Sequence, residues 1–419
     1  MRSRVTSAAR SSFQPTLRLG VAVALLLTLT GCGGGATATA SPTPTPSTLA
    51  SPSPTPSPSP SPVASPSASP NPPASPLPIP TWAAMHASCS GAATAREAIL
   101  VMQRATSKIL ADVSDPAHPR AICTFTGLWQ PELVTAGEIS WSASQRAPGT
   151  AGPSVIATLD LFSGISAVVA SWQGGGYLDG FHAWSPGREL LAYLTSDASG
   201  VELHLLSGGG DRVVASLGAV PGRGANPTED DAYLAFSPDG AYFALEQTLT
   251  PSGAHLQIRK STDGTLAYSQ PSATMATWGS SGSKLYFRHP GAATIYAWDP
   301  VAKLTQPIGE ALPWIKPNAD AGDDYLAFTV RDAAGTPHVV LYGHGGRAGT
   351  QLPNVRSSPV FLNAITIFDI EEAPCGTNCG PGPLTQPTGK TYTYDIATQA
   401  ESPSNILSVL STWPRPGQV

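Results

Sequence analysis

Carboxylates and cysteines are the residues of this chain whose spacing could do chemistry. Glu229-Asp230-Asp231 and Glu371-Glu372 form two acidic runs, and Asp320, Asp323 and Asp324 lie close together in a third. Calcium takes several carboxylate oxygens, so Asp230 and Asp231 could join that third group around one ion. No spaced Asp-x-Asp-x-Asp loop is present, and a solvated acidic rim is the plainer reading. Four cysteines, Cys89, Cys123, Cys375 and Cys379, are an even set. Cys375-Gly-Thr-Asn-Cys379 is short enough to close on itself, which leaves Cys89 with Cys123. A metal site is the alternative, but no histidine sits near the 375–379 pair at ligand spacing. Enzyme signatures are missing where sequence would reveal them: there is no Gly-x-Ser-x-Gly elbow and no His-Glu-x-x-His. The eight histidines are scattered. Gly174–Gly176 and Gly208–Gly210 lack the strand–helix context of a phosphate loop. No cofactor and no metal are expected.

The fifth cysteine has a different setting. Arg2, Arg4, Arg10 and Arg18 precede an apolar run of about a dozen residues, too short for a membrane span of roughly 20. The run ends in Leu29-Thr30-Gly31-Cys32. These residues resemble the lipobox of bacterial lipoproteins. The resemblance implies that the Cys32 thiol takes a diacylglyceryl group, that residues 1–31 are removed as a signal peptide, and that the protein is anchored outside the cytoplasm. An exported chain fits the disulfide reading of the other four cysteines.

Once residues 1–31 are gone, 19 basic side chains face 28 acidic ones, a formal charge of −9. That balance offers no basic patch for nucleic acid, and no nucleic-acid partner is expected. Residues 36–80 are almost wholly Ser, Pro, Thr and Ala, without a charge, and hold 16 of the 43 prolines. Such a segment cannot bury a core, so 32–80 is read as a disordered tether biased to polyproline II. At ~3.1 Å per residue it reaches on the order of 100 Å.

Residues 81–419 must then hold the elements that position the carboxylates. Tight turns bearing Asp, Pro or Gly recur near 115, 160, 207, 263, 299, 343 and 395, about every 47 residues. Between them come an aromatic residue, a short turn and an apolar strand. Phe236-Ser237-Pro238-Asp239-Gly240 is the complete copy, with others at Trp184-Ser185-Pro186-Gly187 and Trp278-Gly279-Ser280-Ser281-Gly282. Weaker copies are Trp129-Gln130-Pro131, Trp314 to Pro317, and Ser358-Pro359. These units resemble the WD-repeat-like β-propeller repeats of the TolB family, in which an aromatic-Ser-Pro-Asp-Gly turn joins the first two strands of each blade. The resemblance covers most of residues 95–415.

The expected fold is therefore all-β, a propeller of seven four-stranded blades, with six as the alternative. Seven hairpins but six preceding inner-strand turns imply that the C-terminus supplies the missing strand. Residues 405–413 would pair with 97–102, followed by 108–113 and 120–125, closing the ring between N- and C-terminal strands. A helix over residues 92–111 is the competing reading.

In an up-and-down blade, the second-to-third turns and the blade connectors share one face, here called the connector face. The loops 172–182, 218–231, 145–153 and 371–390 fall on it. Long loops on a rigid scaffold are where binding usually resides. The candidate binding residues are therefore Tyr177, Asp179, His182, Arg223, Glu229, Asp230, Asp231, Glu371 and Glu372. Two functions fit: a monomeric, lipid-anchored binding or scaffolding module for a protein, peptide or glycan, or a propeller enzyme such as a glycan hydrolase or lyase with carboxylates converging at the channel.

Overall fold

Strand follows strand in this chain because short β-branched and aromatic runs alternate with turn residues, and among the described residues the helical content is one 3₁₀ turn, Thr81–Ala83. The computed structural model divides the chain into residues 1–71 and 72–419. It describes residues 78–413 except 91–97, 105–106, 114, 116–117, 127–128, 146–150, 175–179, 198–199, 219–231, 251–252, 280–283, 290–293, 311–313, 322–324, 333, 344–348 and 376–384. The described strands form seven antiparallel sheets, six of four strands and one of five. This is a seven-bladed β-propeller. Residues 98–104 and 107–112 are strands, not a helix.

Closure follows the expected scheme. Blade 1 takes its inner strand, Val409–Trp413, from the C-terminus, and it pairs with Ala98–Arg104. Ser107–Asp112 and Arg120–Thr126 follow. The structure adds a fifth, outermost strand, His86–Cys89, which the repeat spacing does not reveal because it precedes the first unit. Blades 2 to 7 then run in sequence order from residue 129 to 404.

The blades have no core of their own. Each is a single sheet, so its apolar side chains bury against the neighbouring blades, and a cluster fills every one of the seven seams. Second strands are consequently buried on both faces: Tyr325–Arg331 reads Tyr-Leu-Ala-Phe-Thr-Val-Arg, with its five central residues sealed. Outer strands such as Leu266–Pro271 alternate between exposed and half-buried.

All seven hairpins lie where the sequence places them, between third and fourth strands. Asp160, Asp263, Asp299 and Asp395 each accept backbone N–H bonds from the residues that follow, which locks the turn. Hydrogen bonds hold the carboxyls of Asp160, Asp263 and Asp395 below the usual range. For Asp263 the Thr265 hydroxyl leads and its N–H follows, while for Asp160 and Asp395 the backbone N–H bonds lead and the Ser163 and Thr398 hydroxyls add to them. The Ser-Pro-Asp-Gly turn also has a local cause. The Ser237 hydroxyl donates to Asp239 at 2.6 Å and accepts from the Tyr242 N–H at 2.9 Å, while Gly240 takes φ = 71°.

Three weaker turn copies are corrected. Trp129-Gln130-Pro131, Trp314 to Pro317 and Ser358-Pro359 lie inside the inner strands Trp129–Thr135, Trp314–Ala321 and Arg356–Phe361. Each proline falls within a break in register against the second strand: Trp129 to Glu132, Ile315 to Ala319, and Ser357 to Val360. The inner strand is an edge beside the channel, so a residue without an N–H costs least there.

Candidate functional site

The structure separates the sequence-derived site residues into three groups. Tyr177, Asp179, Arg223, Glu229, Asp230, Asp231, Cys32, Cys379, Asp323 and Asp324 lie outside the described residues. Asp320 belongs to the inner strand of blade 6. His182, Glu371 and Glu372 are described, and all three sit on strands rather than loops. The stretch 371–390 is shorter as a loop than its composition suggests, because Thr366–Pro374 and Thr385–Asp395 extend into it. Among the cysteines, Cys89 and Cys123 are joined, and Cys375 is disulfide-bonded.

Glu371 belongs to a charged cluster that crosses all four strands of blade 7. At its centre is Arg356, the first residue of the inner strand and 5% exposed. Its Nε and Nη2 donate to the two carboxylate oxygens of Glu401, on the outer strand, at 2.8 and 2.9 Å. This is the parallel fork that guanidinium and carboxylate form best. Asp369, on the second strand, lies 3.4 Å from Nε, and Glu371 lies 3.7 Å from Nη1. The ring of Tyr392, on the third strand, lies 3.9 Å beneath the guanidinium carbon, a cation–π contact.

One cation thus serves three carboxylates, and their environments pull them apart. Asp369 is fully buried and neither oxygen meets a hydrogen-bond donor. Desolvation pushes its pKa up to about 8, against the opposing pull of Arg356, with Glu401 pushing further upward. Glu371 reaches the surface, where the Thr388 hydroxyl (2.8 Å) and Lys390 (3.4 Å) hold its carboxyl below the usual range. Asp369 therefore keeps its proton at neutral pH, while Glu371 is ionised at the rim.

Glu372 faces a different seam. It is 4% exposed and binds Arg331 of blade 6 at 3.4 Å. The Thr385 hydroxyl donates to the same carboxylate and accepts from Arg331 at 2.9 Å. This network clamps blades 6 and 7 together at the connector face.

His182 is a correction to the loop-residue reading. It opens the inner strand of blade 3, and its side chain is 1% exposed. Nδ1 is 2.8 Å from the Gly180 carbonyl, so Nδ1 carries the proton and Nε2 accepts from the Ser140 hydroxyl at 2.9 Å. Glu132 stands 4.0 Å from Nε2 and accepts the Trp184 N–H at 3.2 Å. A serine, a histidine and a carboxylate have the composition of a nucleophilic triad. Here all three are buried in the seam between blades 2 and 3, where their contacts fasten one blade to the next.

Arg356, Asp369, Tyr392 and Glu401 escape a reading by motif, since they are contributed singly by four strands. Asp369 carries a visible signal in retrospect. It interrupts the apolar run Ile367-Phe368-Asp369-Ile370, and an acidic residue inside a doubly buried strand needs a partner.

No protein-family model and no curated protein matches this sequence. Several solved structures are similar to it. TolB from Acinetobacter baumannii shares 16% identity at a TM-score of 0.39, over 62% of this chain and 63% of that one. Prolyl oligopeptidase B from Galerina marginata shares 13% identity at a TM-score of 0.49, over 78% and 51%. The β-propeller domain of the trilobed protease from Pyrococcus furiosus shares 8% at 0.43, over 69% and 96%. The chain therefore spans less than two thirds of the first two.

Proposed function

We propose that this protein is a binding or scaffolding propeller, anchored by a lipid on Cys32 at the outer side of the cytoplasmic membrane or beyond, which contacts a protein, peptide or glycan through its connector face. The observation that carries this reading is the fixed rim of blade 7. Glu371 and Lys390 stand at the surface, with side chains 22% and 70% exposed, and Arg356 ties Glu371 to the buried side of the blade. A polar rim held in one geometry loses little entropy when a partner docks. The lipobox resemblance and the uncharged tether support the anchored placement.

Two measurements test the reading. Mass spectrometry of the mature N-terminus should find an acylated Cys32, and an unmodified thiol there would refute the anchor. Crosslinking in intact cells should recover a partner with the wild-type chain and lose it with the charge reversal Glu371→Lys/Lys390→Glu. Equal recovery by both chains would refute this rim as the binding surface.

A further inference from the structure

Between blades 3 and 4, the third-to-fourth hairpin of the later blade packs straight onto the outer strand of the earlier one. Val214 leaves no room for a Cβ on Gly264, and the Arg212 Nη2 donates to the Thr262 carbonyl at 2.8 Å. The seam between blades 1 and 2 is built differently. Here the fifth strand, His86–Cys89, and the 3₁₀ turn before it face the blade 2 hairpin across a cavity of about 760 Å³. That is within the roughly 300–1,000 Å³ of ligand pockets. Ile79, Met85 and Ala87 line one side, and Leu161 and Phe162 of the hairpin line the other. Trp141 lines it as well and holds the 3₁₀ turn, donating to the Ala83 carbonyl at 3.2 Å. The mouth is open, since Phe162 is 60% exposed and Ala87 and Cys89 are exposed too. The Phe162 ring lies against Gly137, where a Cβ would have no room, so the first-to-second turn of the same blade places this wall.

The fifth strand brings an open edge to the cavity. Among the described residues it pairs only with Arg120–Thr126. The Ser90 N–H donates to the Ile122 carbonyl at 2.8 Å, so antiparallel alternation turns the N–H and C=O groups of His86 and Ser88 the same way. Ala87 and Cys89 therefore point theirs outward, at the free edge, while their side chains line the cavity. The Cys89–Cys123 disulfide holds the strand in place, so an added strand meets a fixed template. The hairpin wall also carries a charge. Asp160 Oδ1 accepts the Phe162 and Ser163 N–H bonds and the Ser163 hydroxyl, which leaves Oδ2 without a hydrogen-bond partner among the described residues.

We propose that this edge and cavity dock an extended peptide segment of a partner protein by strand addition, with an apolar side chain in the cavity and a basic one beside Asp160. In an antiparallel addition, the residue opposite Ala87 puts its side chain on the same face as that of Ala87, over the cavity. Ala84 and Ala87 are small and leave room for it. The residue two positions along shares that face, on the side of the hairpin wall. The formal charge of −9 left once residues 1–31 are gone favours a basic segment over an acidic one. A bare edge selects no partner by itself, and the cavity supplies the side-chain pocket from which strand addition draws its specificity. Blades 1 and 2 make this surface, so it stands or fails separately from the blade 7 rim.

The probe is a fluorescein-labelled, amidated peptide, Thr-Thr-Leu-Thr-Lys-Thr, titrated with the full mature protein and followed by anisotropy and amide NMR. Wild type should bind it saturably, and the Ala87 and Cys89 amide resonances should shift. Methylating the Leu nitrogen, which faces the edge, should weaken binding about tenfold, whereas methylating the next Thr nitrogen, which faces away, should not. Ala87→Pro removes an N–H that the ladder does not use, so it should melt with wild type and bind about tenfold more weakly. Asp160→Asn, which keeps an oxygen for the turn, should lose the preference for this peptide over one with Glu in place of Lys. No saturable binding, or binding indifferent to Leu methylation, would overturn the proposal even if the Pro variant fails to fold. Ala87 and Cys89 amides protected from exchange in the protein alone, and unmoved by the peptide, would overturn it by showing that the chain's own residues hold the edge.

Discussion

Cys89 lies directly opposite Cys123 across the antiparallel pair His86–Cys89 and Arg120–Thr126, and the two are disulfide-bonded. The bond fastens the fifth strand of blade 1, whose four residues are all exposed and bury little that would hold it otherwise. The cysteines are 34 residues apart, for which chain entropy gives a stabilisation of about 3–4 kcal/mol as an upper figure. Cys89→Ser/Cys123→Ser should lower the denaturant midpoint and expose residues 84–90 to limited proteolysis. A variant cleaved no faster than wild type would show that the strand holds without the bond.

Ring closure makes a second prediction. Ile406 is 1% exposed and packs with Phe368 and Leu362 of blade 7 against Ala111 and Val113 of blade 1. Ile406→Ala should cost about 2–5 kcal/mol, the usual range for truncating a buried Ile. Its effect on hydrogen exchange should be concentrated in the strands around 98–112 and 366–374, the two sides of that seam. Protection lost evenly around the ring would mean that the seam is not an independent unit.

The turn chemistry explains why so much of this architecture was legible in sequence. Asp160, Asp263, Asp299 and Asp395 announce their hairpins because the side chain itself makes the turn, a local event that needs no tertiary partner. Ser237 and Gly240 do the same for the first-to-second turn. Pro131, Pro317 and Pro359 mislead because proline marks equally a turn and a break in an edge strand, and only the neighbouring strand distinguishes them. The site is harder to read for the opposite reason. Arg356, Asp369, Tyr392 and Glu401 span 46 positions and meet only through strand register, while His182 reads as a loop residue until Ser140 of another blade closes over it.

Removing the shared cation of blade 7 should be costly. Arg356→Met leaves Asp369 and Glu401 without their guanidinium, and breaking such a buried pair typically costs about 3–5 kcal/mol. At pH 9, where Asp369 is ionised beside Arg356, adding Asp369→Asn should recover part of that loss, because one of the stranded acids is then gone. A double-mutant cycle on the denaturant midpoints checks this. Strictly additive losses would show that the two side chains do not interact.

Asp369 sets the last prediction, a dependence of stability on pH. Its folded pKa of about 8 lies above the 3.8 usual for an aspartate in an unfolded chain. Between those limits the folded state holds a proton that the unfolded state has released. Stability from this group is therefore fully present below about pH 4, falls as pH rises, and levels off above about pH 8. Asp160, Asp263 and Asp395, whose folded pKa values are lowered, act in the opposite sense and only in the acid range below their unfolded values. The two windows do not overlap, so the slope from pH 5 to pH 8 isolates Asp369 among these four. Wild type should lose stability across that range by an amount on the order of a few kcal/mol. Asp369→Asn, which keeps the volume and cannot ionise, should flatten the slope and be the more stable protein at pH 8. Parallel profiles for the two proteins, measured as urea midpoints, would place the proton elsewhere.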